Sequence, residues 1–435
     1  MRSEMKRNTR ALLEVYTSPN KKPEEIHTLC MRGMRPEKPC WACTTSPNKP
    51  SPSQTLSSQT VTSYKLFPHK QLLMKPSINV YTKNSKFLVP EHPDYTKVLL
   101  VYLANQDLTD TSITFPPNSI YINLDGCGIK SFNARTIPDK VEVLSMRDNN
   151  LLTMDATDLP PSIKILNLDN TTSLFKISAC TLYQMQELSL YDSEVQSIDR
   201  NRFPLLADLN LVKSWDGASS NIQVVEHNYF GCISELDLHG GGHLHTFTDN
   251  GCPRLTNLDL SGNVLTSFDN SNKLPSLTHL SLSANNINSF SFVPSSDLVC
   301  LDLSNNSISG NFDASVLPST LHTLNLSSNS IKSITGLENL VNLVNLNIGE
   351  NMIKHIDLSP LVRLTTVCLS FNRLTEFNKE NKPLPPNLTS LDLTGNPIQE
   401  IHLGETYNIT NLTLGSIKPK HKKMRPSTEN EVNKE

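Results

Sequence analysis

Two histidine-containing segments hold the residue types most often used for chemistry. His239, His243 and His245 fall within the segment HGGGHLH, and three imidazoles this close together are candidate metal ligands. An HGGG segment also forms part of some esterase oxyanion holes, but that use needs a Gly-x-Ser-x-Gly turn, which the sequence lacks. Because Leu244 or His243 must fill an apolar position here, we interpret the segment as an irregular glycine turn with exposed histidines.

The second segment lies near the N-terminus, where His27, Cys30, Cys40 and Cys43 have spacings that zinc sites use. The residues between them, MRGMRPEKP, offer no apolar core to hold such a site together. We predict free thiols in a disordered tail, with a small zinc site as the alternative.

Other signatures of catalysis are missing from the sequence. It contains no phosphate-binding glycine loop, no HExxH pair and no kinase motifs. We therefore predict a protein that is not an enzyme and that needs no cofactor or metal.

Composition argues against two further classes of function. The 435 residues carry a formal net charge of −3, which disfavours a nucleic-acid partner. The longest apolar run, residues 98–104, is far shorter than the ~18 residues that a membrane span needs. The first thirty residues show no apolar signal-peptide core, and the cysteines of residues 127–368 are scattered rather than paired. We expect a cytoplasmic monomer, or a secreted or cell-surface protein if the true N-terminus differs.

The elements that must position any site are repeats. A pattern L-x-x-L-x-L-x-x-N-x-L recurs with spacings of 21 to 27 residues, and LTNLDLSGNVL (255–265) and LTSLDLTGNPI (388–398) are clear copies. The fifteen units begin at Val98, Ser119, Val141, Ile163, Met185, Leu206, Ile233, Leu255, Leu277, Leu298, Leu321, Leu343, Leu364, Leu388 and Ile409.

Within a unit, apolar positions 4 and 6 alternate with polar positions 3, 5 and 7, which predicts a half-buried strand. A second apolar pair at positions 11 and 14, such as Leu265 and Phe268, completes a core that only stacked units can bury. Asn at position 9 can satisfy backbone groups of the turn that leaves the strand. In the second half these residues are Asn263, Asn285, Asn306, Asn329, Asn351, Asn372 and Asn396.

These units resemble leucine-rich repeats over residues 98–417. We expect an α/β leucine-rich-repeat right-handed solenoid, or horseshoe, with a parallel concave sheet. Units of about 22 residues are too short for a full convex helix, and the proline pairs at 116–117, 160–161 and 385–386 favour extended connectors. The convex side should therefore be mostly non-helical.

The chain then divides into four segments. Residues 1–63 form a disordered tail rich in Pro, Ser, Thr and Lys. Residues 64–97 cap the solenoid at its N-terminal end, residues 98–417 form the solenoid, and residues 418–435 are a polar tail.

The first half departs from the repeat pattern. Its position-9 residues are Gln106, Cys127, Asn149, Thr171, Ser193, Ser214 and Gly241. The unit at 206–232 carries about five extra residues, and such insertions often map to functional loops. Tyr, Trp and Arg dominate binding hot spots, and they concentrate in this half. Ordinary solvated polarity is the other interpretation of these side chains. The predicted partner-binding residues are Tyr102, Tyr121, Arg147, Asp148, Glu187, Tyr191, Asp192, Lys213, Trp215 and His239.

We interpret the protein as a scaffold or adaptor that binds a protein partner on its concave face. The unit at 331–353 is similar to repeats of intracellular phosphatase-regulatory and adaptor proteins. The alternative is a ligand-sensing ectodomain, because the unit at 384–398 is similar to repeats of receptor-like kinases. Bacterial effector ubiquitin ligases have similar units, but their catalytic domain would need more than the roughly 18 residues that follow the repeats.

Overall fold

The computed structural model describes residues 80–81, 99–109, 113–154, 156–171, 176–211, 221–269, 273–290, 295–378, 383–403 and 409–415. The chain divides into two units, Met1–Pro68 and His69–Glu435, and all described residues belong to the second. Outside the described residues lie the predicted tails (1–63 and 418–435) and most of the predicted cap (64–97). The four candidate zinc ligands belong to the N-terminal tail and therefore also lie outside.

The described secondary structure consists of short strands and four single-turn 3-10 helices, with no α-helix in these ranges. The strands are β1 (Val80–Tyr81), β2 (Leu100–Tyr102), β3 (Tyr121–Asn123), β4 (Ser131–Phe132), β5 (Val143–Ser145), β6 (Thr153–Met154), β7 (Ile165–Asn167), β8 (Lys176–Ser178), β9 (Glu187–Ser189), β10 (Ser197–Asp199), β11 (Arg202–Phe203), β12 (Asp208–Asn210), β13 (Val224–Glu226), β14 (Tyr229–Phe230), β15 (Glu235–Asp237), β16 (Thr246–Thr248), β17 (Asn257–Asp259), β18 (His279–Ser281), β19 (Cys300–Asp302), β20 (Ser309–Asp313), β21 (Thr323–Asn325), β22 (Ser330–Thr335), β23 (Asn345–Asn347), β24 (Thr366–Cys368), β25 (Glu376–Phe377), β26 (Ser390–Asp392), β27 (Glu400–Ile401) and β28 (Asn411–Thr413). The 3-10 helices are Ala134–Thr136, Ala156–Asp158, Ala314–Val316 and Leu337–Asn339.

Each repeat unit contributes one strand, formed by its positions 3 to 5, to one of two parallel sheets. A 7-stranded sheet has the order β1-β2-β3-β5-β7-β9-β12, and a 9-stranded sheet has the order β15-β17-β18-β19-β21-β23-β24-β26-β28. Equivalent positions pair in register, as in Leu258 with Leu280. We call the surface formed by positions 3, 5 and 7 the sheet face, and the opposite side of each coil the return side. Stacked parallel coils without α-helix confirm the predicted solenoid.

The core is continuous along the stack because every unit inserts equivalent apolar residues. Leu258 and Leu260 are 2% and 0% exposed, which confirms the burial of positions 4 and 6. Leu265 and Phe268 from the second apolar pair are buried as well, at 1% and 4%. Successive coils thus cover one another's apolar surface, which is how a repeat protein acquires stability.

Position-9 asparagines form a buried ladder along the second half, as predicted. The Asn285 side-chain amide donates to the carbonyl oxygens of Leu282, at 3.1 Å, and of Leu260 in the preceding coil, at 3.0 Å. Its Oδ1 accepts from the backbone N–H of Leu265 at 3.0 Å. Each side chain therefore satisfies its own turn and also links two coils, and we call this row the first ladder.

The return side contains a second set of strands that the sequence analysis did not predict. A 4-stranded parallel sheet has the order β16-β13-β10-β8, and two-stranded pairs join β11 to β14, β20 to β22, β25 to β27 and β4 to β6. Phe203 and Phe230, on paired strands β11 and β14, stack with ring centroids 6.2 Å apart.

A second ladder of buried asparagines follows the strands of the 4-stranded sheet. Asn201, Asn228 and Asn250 are 1%, 2% and 0% exposed. The Oδ1 of Asn228 accepts from both the backbone and the side-chain amide of Asn201 at 3.0 Å. The side-chain amide of Asn228 donates to the oxygen of Ile198 at 2.8 Å and to Oδ1 of Asn250 at 2.9 Å. These bonds tie three coils together on the return side.

The two long sheets are separate between β12 and β15, at the unit that carries the extra residues. The 4-stranded return sheet crosses this break, because β10 pairs with β13 in register. The coil stack is thus continuous on the return side where the main sheet is interrupted.

The proline pairs at 116–117 and 160–161 lie in turns and not in the extended connectors that we predicted. The Pro116 carbonyl accepts from the N–H of Ser119 at 3.0 Å, and the Pro160 carbonyl accepts from Ile163 at 3.2 Å. Pro117 and Pro161 therefore occupy the second position of a turn, where their fixed φ is favourable. These turns start each following strand at a defined point.

Candidate functional site

Eight of the ten predicted partner-binding residues are described, and all eight lie on or beside the sheet face. Tyr102, Tyr121 and Glu187 are strand residues, while Arg147, Tyr191 and His239 stand two residues beyond strands. The others, Asp148 and Asp192, occupy the turn position with φ of 54° and 53°, a left-handed conformation that Asp tolerates. Lys213 and Trp215 lie outside the described residues.

The N-terminal end of the face carries an aromatic pair. Tyr102 and Tyr121, on β2 and β3, have ring centroids 5.2 Å apart. The side-chain amide of Asn123 donates to the Tyr121 hydroxyl at 3.4 Å and to Asp125 Oδ2 at 3.0 Å. Two rigid aromatic side chains with a polar partner provide contact area at a low entropic cost.

Arg147 lies between Asp125 and Asp169, and each of these aspartates accepts hydrogen bonds from the coil that follows it. Oδ1 of Asp125 accepts from Ser145 Oγ at 2.6 Å and from the Arg147 N–H at 2.9 Å. In the same way, Oδ1 of Asp169 accepts from Ser189 Oγ at 2.5 Å and from the Tyr191 N–H at 3.0 Å. Arg147 Nε is 3.7 Å from Asp169 Oδ2. The predicted partner-binding residues do not include Asp125 and Asp169, whose role depends on the coil that follows.

Two carboxylates face each other directly on neighbouring strands. Glu187 on β9 and Asp208 on β12 are register partners. Burial, followed by the charges of Asp208 and Asp169, raises the pKa of Glu187. Partial burial also raises the pKa of Asp208, which the predicted set omitted although it occupies the same repeat position as Glu187.

A third group joins the first two strands of the 9-stranded sheet. Asp237, His239 and Asp259 each present one potential ligand atom, and these atoms lie within 4.8 Å of one another. His243 and His245, the other histidines of HGGGHLH, are exposed and stand outside this group. Leu244 is 1% exposed and fills the apolar position, as expected.

The second half of the sheet face uses its polar groups within its own turns. Position-5 side chains accept the position-7 backbone N–H at 2.8 Å for Asp302 and Ser304 and at 2.9 Å for Asp392 and Thr394. Asn347 does the same for Gly349 at 3.1 Å. The first half makes the same local bond, as between Asn123 and the Asp125 N–H at 2.9 Å, and differs in also presenting Tyr102, Tyr121 and Arg147 on the face.

No helix among the described residues has the length and apolar character required to cross a membrane. Among the described cysteines, Cys232, Cys252 and Cys368 are free thiols. Burial raises the pKa of the Cys252 thiol to about 12, so this thiol is unreactive.

Comparisons with known proteins agree on the type of repeat. The profile of a family described as "Leucine Rich repeats (2 copies)" matches residues 253–295. No curated protein sequence matches the chain.

Among solved structures, YopM from Yersinia enterocolitica is 23% identical with a TM-score of 0.45, and the match covers 73% of this chain and 63% of that chain. An internalin from Listeria monocytogenes is 20% identical with a TM-score of 0.36, covering 66% of this chain and 87% of the internalin. A leucine-rich repeat protein of Leptospira interrogans is 18% identical with a TM-score of 0.36, covering 79% and 95%. The chain therefore spans less than two thirds of the length of the YopM structure.

The repeat pattern of the sequence, the stacked parallel strands and the matching family profile lead to one conclusion. The described coils have the leucine-rich repeat fold, and residues 253–295 match the profile of that family.

Proposed function

We propose that this protein is a non-enzymatic interaction scaffold and that its partner is a protein bound on the sheet face between Tyr102 and His239. The observation that carries the proposal is the pair Glu187 and Asp208, two carboxylates in direct register on neighbouring strands.

Like charges opposite each other destabilise a sheet. Burial and, after it, the charge of Asp208 raise the pKa of Glu187, while burial alone raises the pKa of Asp208. Asp169 adds a third negative charge near Glu187. Such an arrangement is favourable once a cationic side chain is placed against it. We therefore expect the partner to present a Lys or Arg side chain to these carboxylates.

Other side chains of this region fit the same role. The Tyr102 and Tyr121 rings form an apolar contact surface at one end, and aromatic residues are the commonest anchors of protein interfaces. Arg147 lies between this pair and the carboxylates in chain order, and its Nε is buried without a hydrogen bond. The Arg147 side chain as a whole is 26% exposed, so a partner carboxylate could pair with the accessible part of its guanidinium.

Cytoplasmic localisation is part of this proposal. Free thiols at Cys232, Cys252 and Cys368 are consistent with a reducing compartment. Glycosidase treatment of the native protein, with cell fractionation, tests it: we expect a cytosolic band of unchanged mobility, and a downward shift in a membrane or secreted fraction would contradict it.

The scaffold proposal is tested by affinity purification from native cells with quantitative mass spectrometry. Two double variants of the full-length protein disrupt the proposed site: Arg147→Ala with Tyr191→Ala, and Glu187→Gln with Asp208→Asn. We expect each to lose at least about tenfold of the specific partner, because truncated hot-spot residues cost at least 1.4 kcal/mol or so.

The matched control combines Ser281→Ala and Ser327→Ala on the second half of the same face, and it should retain the partner. Equal loss in all three variants, or loss only in the control, would refute the location. Thermal unfolding of each variant separates loss of binding from loss of fold.

A further inference from the structure

We propose that Asp237, His239 and Asp259 bind a divalent transition-metal ion of the zinc class on the sheet face. The site shares His239 with the proposed partner surface, but its carboxylates belong to the 9-stranded sheet and not to the strands of Glu187 and Asp208. Zinc binding by the protein alone is therefore tested without the partner.

The fold brings the three ligands together through register. Asp237 on β15 and Asp259 on β17 are paired positions of adjacent parallel strands. His239 follows Asp237 by two residues and therefore lies on the same face. Its Nδ1 is 2.5 Å from Oδ1 of Asp237, and the ligand atoms of all three residues fall within 4.8 Å.

Backbone contacts hold the carboxylates in position. Oδ1 of Asp237 accepts the His239 N–H at 3.1 Å, and Oδ1 of Asp259 accepts the N–H and Oγ of Ser261 at 2.9 and 2.6 Å. Hydrogen bonds of this kind orient metal ligands in known sites. Three glycines follow His239 in the sequence, so the neighbouring turn places no side chain over the imidazole.

The geometry needs only a small adjustment to bind an ion. Ligand atoms around a tetrahedral zinc at 2.0–2.2 Å lie about 3–3.5 Å apart. His239 Nδ1 and Asp237 Oδ1, which are 2.5 Å apart, must separate to that spacing, and ligand atoms further apart must approach to it. The Asp237 and His239 side chains are 52% and 50% exposed, so rotation about their side-chain bonds can make both adjustments without disturbing the core.

The donor set selects the class of ion. One imidazole with two carboxylates suits Zn²⁺, whereas Ca²⁺ and Mg²⁺ prefer oxygen ligands throughout. Three protein ligands leave a position for water or for a group from another molecule. Because a neutral imidazole is required, the metal competes with protonation of His239.

The test is isothermal titration calorimetry of the full-length protein with Zn²⁺ at neutral pH. All variants carry Cys30→Ser, Cys40→Ser and Cys43→Ser, which removes the N-terminal thiolates as competing ligands. We expect one Zn²⁺ per chain, and we expect His239→Ala and Asp259→Asn each to weaken binding by about 100-fold, the upper range for perturbing a metal site.

His279→Ala is the matched control, since His279 is also a histidine of the 9-stranded sheet and lies on β18. It should bind Zn²⁺ as the parent does. The proposal is overturned if the parent binds no zinc, if His239→Ala leaves the affinity unchanged, or if His279→Ala weakens binding equally. Circular dichroism of each variant without metal confirms that the fold is retained.

Discussion

Two stretches of the solenoid share the same type of coil, but rows of asparagine side chains link their coils on opposite sides. In the late region, residues 255–398, the first ladder of position-9 asparagines lies beside the main sheet. In the early region, residues 163–250, position 9 holds Thr171, Ser193 and Gly241 in the described units. There the second ladder, Asn201, Asn228 and Asn250, lies on the return side instead.

The difference shows that a row of buried asparagines can link coils from either side of the stack. Each ladder satisfies turn backbone groups and crosses to the neighbouring coil, and both have their asparagines largely buried. The two rows are alternatives, because the second ladder occurs where the first lacks asparagine. In the early region the coils are thus tied together from the return side, behind the sheet face that carries Glu187 and Asp208.

The largest expected effect comes from cutting the second ladder. Asn228→Ala removes the acceptor of the Asn201 N–H and the donor to Ile198, which leaves several buried polar groups unsatisfied. At about 1–3 kcal/mol for each buried group left unpaired, we expect a loss of about 3–5 kcal/mol in the free energy of unfolding. Urea denaturation measures it.

The matched change in the first ladder is Asn351→Ala, which removes the acceptor of the Ile331 N–H and donors to Leu326 and Ile348. We expect about 2–4 kcal/mol. The half-buried Asn342, whose side chain donates to the Ser319 oxygen in a solvent-exposed bond, is the control, and Asn342→Ala should cost less than about 0.5 kcal/mol. If Asn228→Ala costs no more than Asn342→Ala, the second ladder does not hold the early region together.

An intermediate effect is expected from glycines on the return side. A Cβ at Gly231, beside β14, would lie 2.0 Å from the Pro204 carbonyl oxygen, so the backbone must shift. A Cβ at Gly310 in β20 would meet nothing within 4 Å, although its φ of +79° disfavours other residues. We expect Gly231→Ala to cost about 2–3 kcal/mol and Gly310→Ala about 1 kcal/mol.

Thermal unfolding of the two glycine variants separates the cost of a backbone clash, at Gly231, from the cost of a left-handed φ, at Gly310. Equal costs would mean that the backbone beside Gly231 moves aside without a packing penalty.

The smallest expected effect is a gain in stability. Because the pKa values of Glu187 and Asp208 are raised in the folded protein, folding favours their protonated forms. The penalty of these charges is full above the raised values, falls as pH decreases through them, and is gone below the pKa of unfolded carboxylates, about 4. Glu187→Gln with Asp208→Asn should therefore stabilise the protein at neutral pH by about 0.5–1 kcal/mol.

Urea denaturation of this double variant at neutral and acidic pH measures the gain, which should vanish at acidic pH. In the late region, Asp302→Asn is the control and should give no such pH-dependent gain. A double variant that is less stable than the parent at neutral pH would contradict the interpretation of the pair as an uncompensated charge cluster.

Much of the fold follows from periodicity in the sequence. The phase of the repeat predicts the strand positions, the burial of Leu258 and Leu260 and the first ladder, because the same residue types recur at the same positions. The second ladder was missed although Asp199-Arg200-Asn201, Glu226-His227-Asn228 and Thr248-Asp249-Asn250 carry a readable signal. In each, a left-handed residue, with φ of 55° or 56°, precedes the asparagine.

The candidate site was less predictable from the sequence. Residue type alone selects Arg147 and Tyr191, but the contribution of Asp169 depends on the coil that follows it, whose Ser189 and Tyr191 donate to it. Asp148 fits the polar pattern of the face, yet it occupies a turn and accepts from the Asn170 side chain at 2.6 Å. Contacts between units of unequal sequence cannot be inferred from the repeat consensus.

The pairing of β10 with β13 and of β11 with β14 has a practical consequence for engineering. Residues 212–220 connect the part of the chain that contains β10 and β11 to the part that contains β13 and β14. These two parts are also joined by strand pairing and by the hydrogen bonds between Asn201 and Asn228. We expect the protein to be divisible here into two complementary fragments that reassociate without a covalent link. The same position would accept an inserted reporter domain.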